Sequence, residues 1–188
     1  LSLEDDVAFP PDFTAILRAA MAEDDSWDIL RLSTMNTGRK FGFRDLPGGR
    51  RLAKAFTREK GAGAYVINRA AARWITGRLM PMRLSYDIAF DLEYLAGLRA
   101  VFVDPPPVDQ RDEPASQIQM NLRASKYPAT RYLTVLPYRA WLEISRLVAR
   151  SGQYVYARAH YLPYKTVLKV ASFVLAITLG IDEIFDNM

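Results

Sequence analysis

The chain has 188 residues, of which 50% are hydrophobic and 24% charged, enough apolar sequence to bury one domain or one domain with an appendage. Because it contains no cysteine and a single histidine, disulfides, zinc–thiolate sites, cysteine nucleophiles and histidine-based metal clusters are excluded. Its chemistry must therefore come from carboxylates, hydroxyls, amides and basic groups. The net charge of the chain is +4.

The first third of the chain alternates apolar runs with a helical pattern. Residues 1–7 are predicted to form a strand, and Asp12 to cap a helix whose apolar side chains recur at i, i+3 and i+4. The apolar run 27–32 predicts a second buried strand. Residues 34–49 are polar and rich in glycine, which is typical of a loop, and residues 51–57 predict an edge strand.

The next part continues this alternation. Residues 61–67 indicate a loop that runs into a strand, and Asn68 is placed to cap a helix over 69–77. An amphipathic stretch over 88–95 precedes another apolar strand at 100–103. Strands that alternate with helices predict an α/β sandwich with a largely parallel sheet.

Residues 122–188 differ in character from residues 1–121, and we treat them as a basic, aromatic-rich and mostly helical tail. Two helices are predicted, over 137–148 and 164–179; the second is strongly apolar but shorter than a bilayer requires. Basic and aromatic residues together favour a membrane surface as partner, with a helical hairpin packed on the first domain as the alternative. No nucleic-acid-binding module is visible, so nucleic acid is not expected.

The acidic triplet Glu4, Asp5 and Asp6 lies within the first predicted strand, with apolar residues on both sides of it. Three adjacent like charges repel one another, so a fold accepts them most readily when a cation is bound. Carboxylate oxygens suit Mg²⁺ or Mn²⁺. A solvated turn with a helix-capping acid is the alternative interpretation.

Several segments, taken in order, resemble glycosyltransferase family 25, the lipooligosaccharide-type transferases that also include collagen galactosyltransferases. The resemblance covers roughly residues 1–120. It rests on residues 3–7, 27–32, 61–72, 86–88, 101–110 and 116–118.

This resemblance implies a GT-A (Rossmann-like) fold and the inverting transfer of a hexose such as galactose. The donor would be a nucleotide-diphosphate sugar and the acceptor a saccharide or a glycolipid such as lipopolysaccharide. It also implies Mn²⁺ or Mg²⁺ held by the acidic triplet, with Asp6 as the direct ligand. Glu4 and Asp5 would then reach the ribose or a metal-bound water.

Inverting transfer needs a general base on the acceptor hydroxyl, opposite the leaving group. Asp87 matches the family's aspartate in this region, at a predicted junction between a loop and a helix, although an aspartate there also serves as a helix cap. Asp91, one helical turn later, is the second candidate for the general base. The alternative interpretation is that Asp91 is simply exposed on the surface.

Four further residues are predicted to contact substrate. Gly61 and Gly63 would let the backbone approach a sugar closely, or would simply form a turn before a strand. Tyr65 would stack on a sugar ring or lie in the core. Gln110 matches a family position whose role the sequence does not define.

The family's nucleotide-binding opening segment has no counterpart before the triplet, so we expect the chain to be the later part of such a transferase, cytoplasmic and peripheral on the inner face of a bacterial cytoplasmic membrane. Two other interpretations stay open. One is a non-catalytic, membrane-associated interaction protein or an inactive transferase fragment. The other is a Mg²⁺-dependent phosphoryl-transfer enzyme.

Overall fold

The computed structural model describes residues 1–35, 38–110 and 131–160. In chain order its strands are β1 Ser2–Leu3, β2 Val7–Ala8, β3 Ile29–Arg31, β4 Lys40–Leu46, β5 Arg50–Ala55, β6 Ala64–Ile67, β7 Ala100–Asp104 and β8 Asp109–Gln110. Its helices are α1 Phe13–Met21, α2 Arg69–Trp74, α3 Tyr86–Phe90 and α4 Arg131–His160, with short helical turns at Asp24–Ser26, Ile75–Leu79 and Glu93–Ala96. This mixture confirms the predicted α/β class.

Six strands form a mixed sheet in the order β1–β6–β3–β7–β5–β4, and β3 with β7 is the parallel pair. The other neighbours are antiparallel. The prediction of a largely parallel sheet was therefore wrong. One cause is a hairpin: β4 and β5 are joined by a tight turn in which Gly48 and Gly49 have φ of 70° and 68°, and a hairpin makes its strands antiparallel.

Two errors in the strand predictions have the same origin. Residues within 34–49, expected to be a loop, include β4, the strand at one edge of the sheet. β5, expected at an edge, lies between β4 and β7. Because β4 carries Lys40, Arg44 and Asp45 among its apolar residues, its composition resembles that of a polar loop.

Helices lie on both faces of the sheet. Leu30 packs in a cluster with Ile16 and Ala20 of α1, whereas its neighbour Ile29 packs with Ala71 of α2 and Phe90 of α3. Because successive strand residues point to opposite faces, α1 covers one face and α2 with α3 covers the other.

The helix caps follow the sequence in part. Asn68 caps α2 as predicted, because its side chain accepts a hydrogen bond from the Ala71 amide at 3.0 Å. Asp12 occupies the position before α1, but its carboxylate bonds to Arg50 Nη1 at 3.2 Å instead of to a helix amide. Asp12 therefore connects α1 to β5.

α4 is one continuous helix of 30 residues, with Pro137 inside it, where the sequence predicted a helix over 137–148. The second predicted tail helix, over 164–179, lies outside the described residues, as does the boundary between residues 121 and 122. Tyr154 and Ala157 of α4 pack on the sheet in the same cluster as Leu52 and Val103. The described part of the predicted tail thus shares the core of the sheet.

Candidate functional site

The acidic triplet forms the turn between β1 and β2. The Glu4 amide donates a 2.7 Å hydrogen bond to the Gly63 carbonyl, and β2 pairs with β8 so that Val7 lies opposite Gln110. Glu4 and Asp5 are exposed and Asp6 is half-buried. The triplet is therefore held between the edge of the main sheet and a small two-stranded ribbon. It contacts the segments that carry two predicted substrate residues.

A tyrosine pair joins this edge to the helix that carries Asp87. In β1, Ser2 lies opposite Tyr65 of β6, and the Tyr65 hydroxyl is 2.8 Å from the hydroxyl of Tyr86. Tyr86 begins α3, its ring stacks on Phe90 at 5.2 Å, and Asp87 follows it in the chain. The structure therefore connects Tyr65 with the first turn of α3, where the preferred base candidate lies.

Asp87 is half-buried and lies inside the first turn of α3, because the residue at the cap position is Ser85. A carboxylate in a first helical turn faces the positive end of the helix dipole. Burial and the hydrogen bond to Tyr65 raise the pKa of the neighbouring Tyr86. The Tyr86 phenol therefore keeps its proton at neutral pH, and it precedes Asp87 in the chain.

The acidic triplet could hold a divalent cation only together with ligands from a substrate. Among residues 1–35, 38–110 and 131–160, no group of three or more carboxylates and imidazoles is close enough together to hold a metal ion. Mg²⁺, however, is commonly held by one or two carboxylates together with substrate phosphates. Asp6 with Glu4 or Asp5 has the donor chemistry for such a site, which a diphosphate would have to complete.

Gly61 is buried in the loop before β6. Its carbonyl accepts a 3.3 Å hydrogen bond from Arg31 Nη1, its φ is +96°, and an added Cβ would lie 3.0 Å from Met35 Cγ. Tyr65 is 9% exposed, and its ring packs 4.7 Å from that of Phe90. Both residues have clear packing roles, and Gly63 holds Glu4 through its backbone.

Asp91, the second base candidate, lies in a different environment. It is 1% exposed and surrounded by three arginines: Arg150 Nη2 at 2.9 Å, Arg146 Nη2 at 3.1 Å and Arg31 Nη2 at 3.5 Å. The Glu59 amide also donates to it at 3.4 Å. An acceptor hydroxyl has no access to this carboxylate in the structure.

The surrounding groups form what we call the arginine cluster: Arg31, Glu59, Asp91, Glu93, Arg146 and Arg150, all nearly fully buried. Glu93 accepts hydrogen bonds from Arg150 Nε at 3.1 Å and Nη2 at 2.7 Å. Burial alone would lower the pKa of Arg150, but Glu93 and Asp91 more than offset it and raise that pKa. Burial lowers the pKa of Arg31 despite Asp91 and Glu93, so Arg31 is the less well compensated of these two cations.

This cluster changes the interpretation of the basic tail. Arg146 and Arg150 belong to the segment predicted to be a basic tail, but they are buried and pair with Asp91 and Glu93. The large apolar side chains of α4 that point outward are at least half exposed: Leu133, Leu136, Trp141, Ile144, Leu147 and Val148. Part of α4 therefore buries two arginines while large apolar side chains on the same helix are exposed, which is unusual for a surface helix.

Sequence reasoning missed the arginine cluster because arginine is rarely fully buried. Two signals were nevertheless present. Arg146 and Arg150 are four residues apart and so share one helix face, while Asp91 and Glu93 supply two carboxylates within three residues.

None of the helices in the described residues is long and apolar enough to cross a bilayer. No protein-family model matches the chain, and a search of curated proteins found no match either.

Proposed function

We propose that this chain is a metal-assisted glycosyltransferase of the family 25 type, which moves a hexose such as galactose from a nucleotide-diphosphate sugar to a saccharide or glycolipid acceptor with inversion. One observation supports the proposal most. The acidic triplet contacts Gly63, lies next to the strand pair that carries Gln110, and is connected through β1, Tyr65 and Tyr86 to the helix that carries Asp87. Segments far apart in sequence thus meet around the triplet, and the tyrosine pair links that edge of the sheet to α3.

In this proposal Asp6 is the direct ligand of Mn²⁺ or Mg²⁺. Glu4 and Asp5, which are exposed, would face the ribose or a water on the ion. The ion would neutralise charge on the departing nucleoside diphosphate. The Glu4–Gly63 hydrogen bond fixes the backbone of the triplet, which limits how far the carboxylates can move when the donor binds.

Asp87 acts as general base on the acceptor hydroxyl. Tyr86, adjacent in the chain and fixed by Tyr65 and Phe90, holds the start of α3 in place. Positioning of this kind matters because proton transfer requires the base within hydrogen-bonding reach of the acceptor oxygen. Asp91 takes no chemical part in the proposal, and its role is to pair with the arginine cluster.

The test uses the whole chain with nucleotide-diphosphate hexoses, a panel of saccharide and glycolipid acceptors, and Mn²⁺. We expect Asp6→Asn to abolish metal-dependent transfer and to weaken Mn²⁺ binding measured by electron paramagnetic resonance. Asp45→Asn, which removes an exposed carboxylate on β4, is the matched control and should keep both. Mn²⁺ binding by wild type that Asp6→Asn does not weaken would contradict the assignment of the ion.

Asp87→Asn separates the base from the binding residues. Loss of a general base lowers turnover about 10²- to 10⁴-fold, and the dissociation constant for the donor should stay within about twofold of wild type. Turnover equal to that of wild type would rule Asp87 out as the base.

A second candidate is a non-catalytic, membrane-associated interaction protein, favoured by the exposed apolar face of α4. The two are distinguished by donor binding. If neither a nucleotide-diphosphate hexose nor Mn²⁺ raises the melting temperature of the chain, the interaction role is favoured.

A further inference from the structure

The segment formed by residues 69–85 is unusual in its charge. It contains four arginines, Arg69, Arg73, Arg78 and Arg83, and no acidic residue. All four are exposed, and none forms an ion pair with any residue in the described parts of the chain. Seven other arginines in those parts do pair with carboxylates: Arg31, Arg44, Arg50, Arg51, Arg99, Arg146 and Arg150.

Apolar side chains lie among these cations. Met80, Met82 and Leu84 are 57%, 51% and 47% exposed, within five residues of one another. Ala71, by contrast, is fully buried against the sheet and fixes α2 on the protein. The segment therefore begins on a helix that is anchored in the core and continues into a stretch that presents apolar and basic side chains to the outside.

The charge pattern has an energetic cost in the isolated protein. Arg69 and Arg73 are four residues apart on α2, so their charges lie on one face and repel each other. Exposed methionines and leucine add an apolar surface that water solvates poorly. A partner with anionic groups next to an apolar phase would relieve both costs at once.

We propose that residues 69–85 dock on a lipid bilayer that contains anionic headgroups. The arginines lie over the lipid phosphates, and Met80, Met82 and Leu84 enter the boundary between headgroups and acyl chains. A nucleic acid would satisfy the arginines but would leave these aliphatic side chains in water, since single strands are stacked by aromatic rings.

This location differs from the membrane surface predicted from sequence, which was placed at residues 122–188. It depends on no step of the proposed transfer chemistry. Because Leu84 lies three residues before Asp87, a bilayer contacted here would lie beside the start of α3.

The test is flotation of the full chain with vesicles of phosphatidylcholine alone or with 30% phosphatidylglycerol, at about 0.1 M and 0.5 M salt. We expect binding only to the anionic vesicles, weakened at high salt. Because each arginine near an anionic leaflet contributes about a fivefold gain in binding, Arg78→Gln with Arg83→Gln should lower the partition coefficient about 30-fold. Met80→Ser with Met82→Ser should also lower it, about tenfold or more.

The matched control is Arg139→Gln with Arg158→Gln, which removes two exposed arginines from α4 and the same net charge. It should lower binding less than threefold, and far-ultraviolet circular dichroism confirms that all variants are folded. An equal loss in the control would show a general charge effect and overturn the proposal. Absence of binding to anionic vesicles would also overturn it, as would binding equal to that of wild type in both the arginine and the methionine variants. A third contrary outcome is binding that the arginine changes lower and the methionine changes do not, and that RNA competes away completely.

Discussion

The protein has two groups of carboxylates whose environments are opposite. Glu4 and Asp5 are exposed at the turn between β1 and β2. Asp91 and Glu93 are almost completely buried and are paired with arginines from β3 and α4. The comparison teaches that a buried, compensated carboxylate stabilises the fold, whereas an exposed one at a strand end remains available to a ligand.

The largest expected effect is on Asp91. Asp91→Asn keeps the volume but leaves Arg31, Arg146 and Arg150 with too little negative charge in the interior. Breaking a buried ion network in this way costs about 3–5 kcal/mol of unfolding free energy. Urea unfolding followed by circular dichroism measures it, with Asp87→Asn as a control in the same helix region. A loss below about 1 kcal/mol would show that water compensates the cluster.

An intermediate effect is expected for Lys54, which lies beside the arginine cluster, is 1% exposed and donates to Gln153 Oε1 at 3.0 Å. Burial lowers its pKa from 10.5 to about 7, against the opposing effect of Glu93. Above the folded pKa the unfolded chain binds more protons than the folded one. The unfolding free energy should therefore rise with pH from about 7 to 9, by up to about 1.4 kcal/mol per pH unit.

Lys54→Met should remove that rise and should be more stable than wild type at pH 6. Lys60→Met, which removes an exposed lysine, serves as the control. Unfolding measured at pH 6, 7, 8 and 9 gives both comparisons. A slope that persists in Lys54→Met would assign it to another group.

The smallest effect on stability is expected in the acidic triplet. Asp6 is half-buried and lies outside the arginine cluster, so Asp6→Asn should change the unfolding free energy by less than about 1 kcal/mol. The same substitution should lower Mn²⁺ affinity at least tenfold. A stability loss as large as that of Asp91→Asn would erase the distinction between the two groups.

The strands that sequence predicted correctly are those with continuous apolar runs, such as β3, β6 and β7, since burial on both faces leaves a clear pattern. β4 was missed because it is an edge strand with charged residues. Strand direction was also missed, since apolar composition does not distinguish a parallel neighbour from an antiparallel one.

The predicted site shows the same division. Local features could be recognised from the sequence, such as the triplet between apolar residues and the Asn68 cap. The environments of Asp91, Arg146 and Arg150 could not be predicted from the sequence, because each depends on partners about 50 or more residues away along the chain. Gly61 likewise appeared to be a loop glycine, while its carbonyl binds a buried arginine on β3.

The pairing of α4 with Asp91 and Glu93 has a consequence for how the molecule opens. Removing α4, or letting it detach, would leave Glu93 without Arg150 and Asp91 with Arg31 alone. Detachment of α4 is therefore costly, and we expect α4 to exchange its amide hydrogens together with the sheet rather than before it. A protease would be expected to cut α4 only when the sheet has already opened.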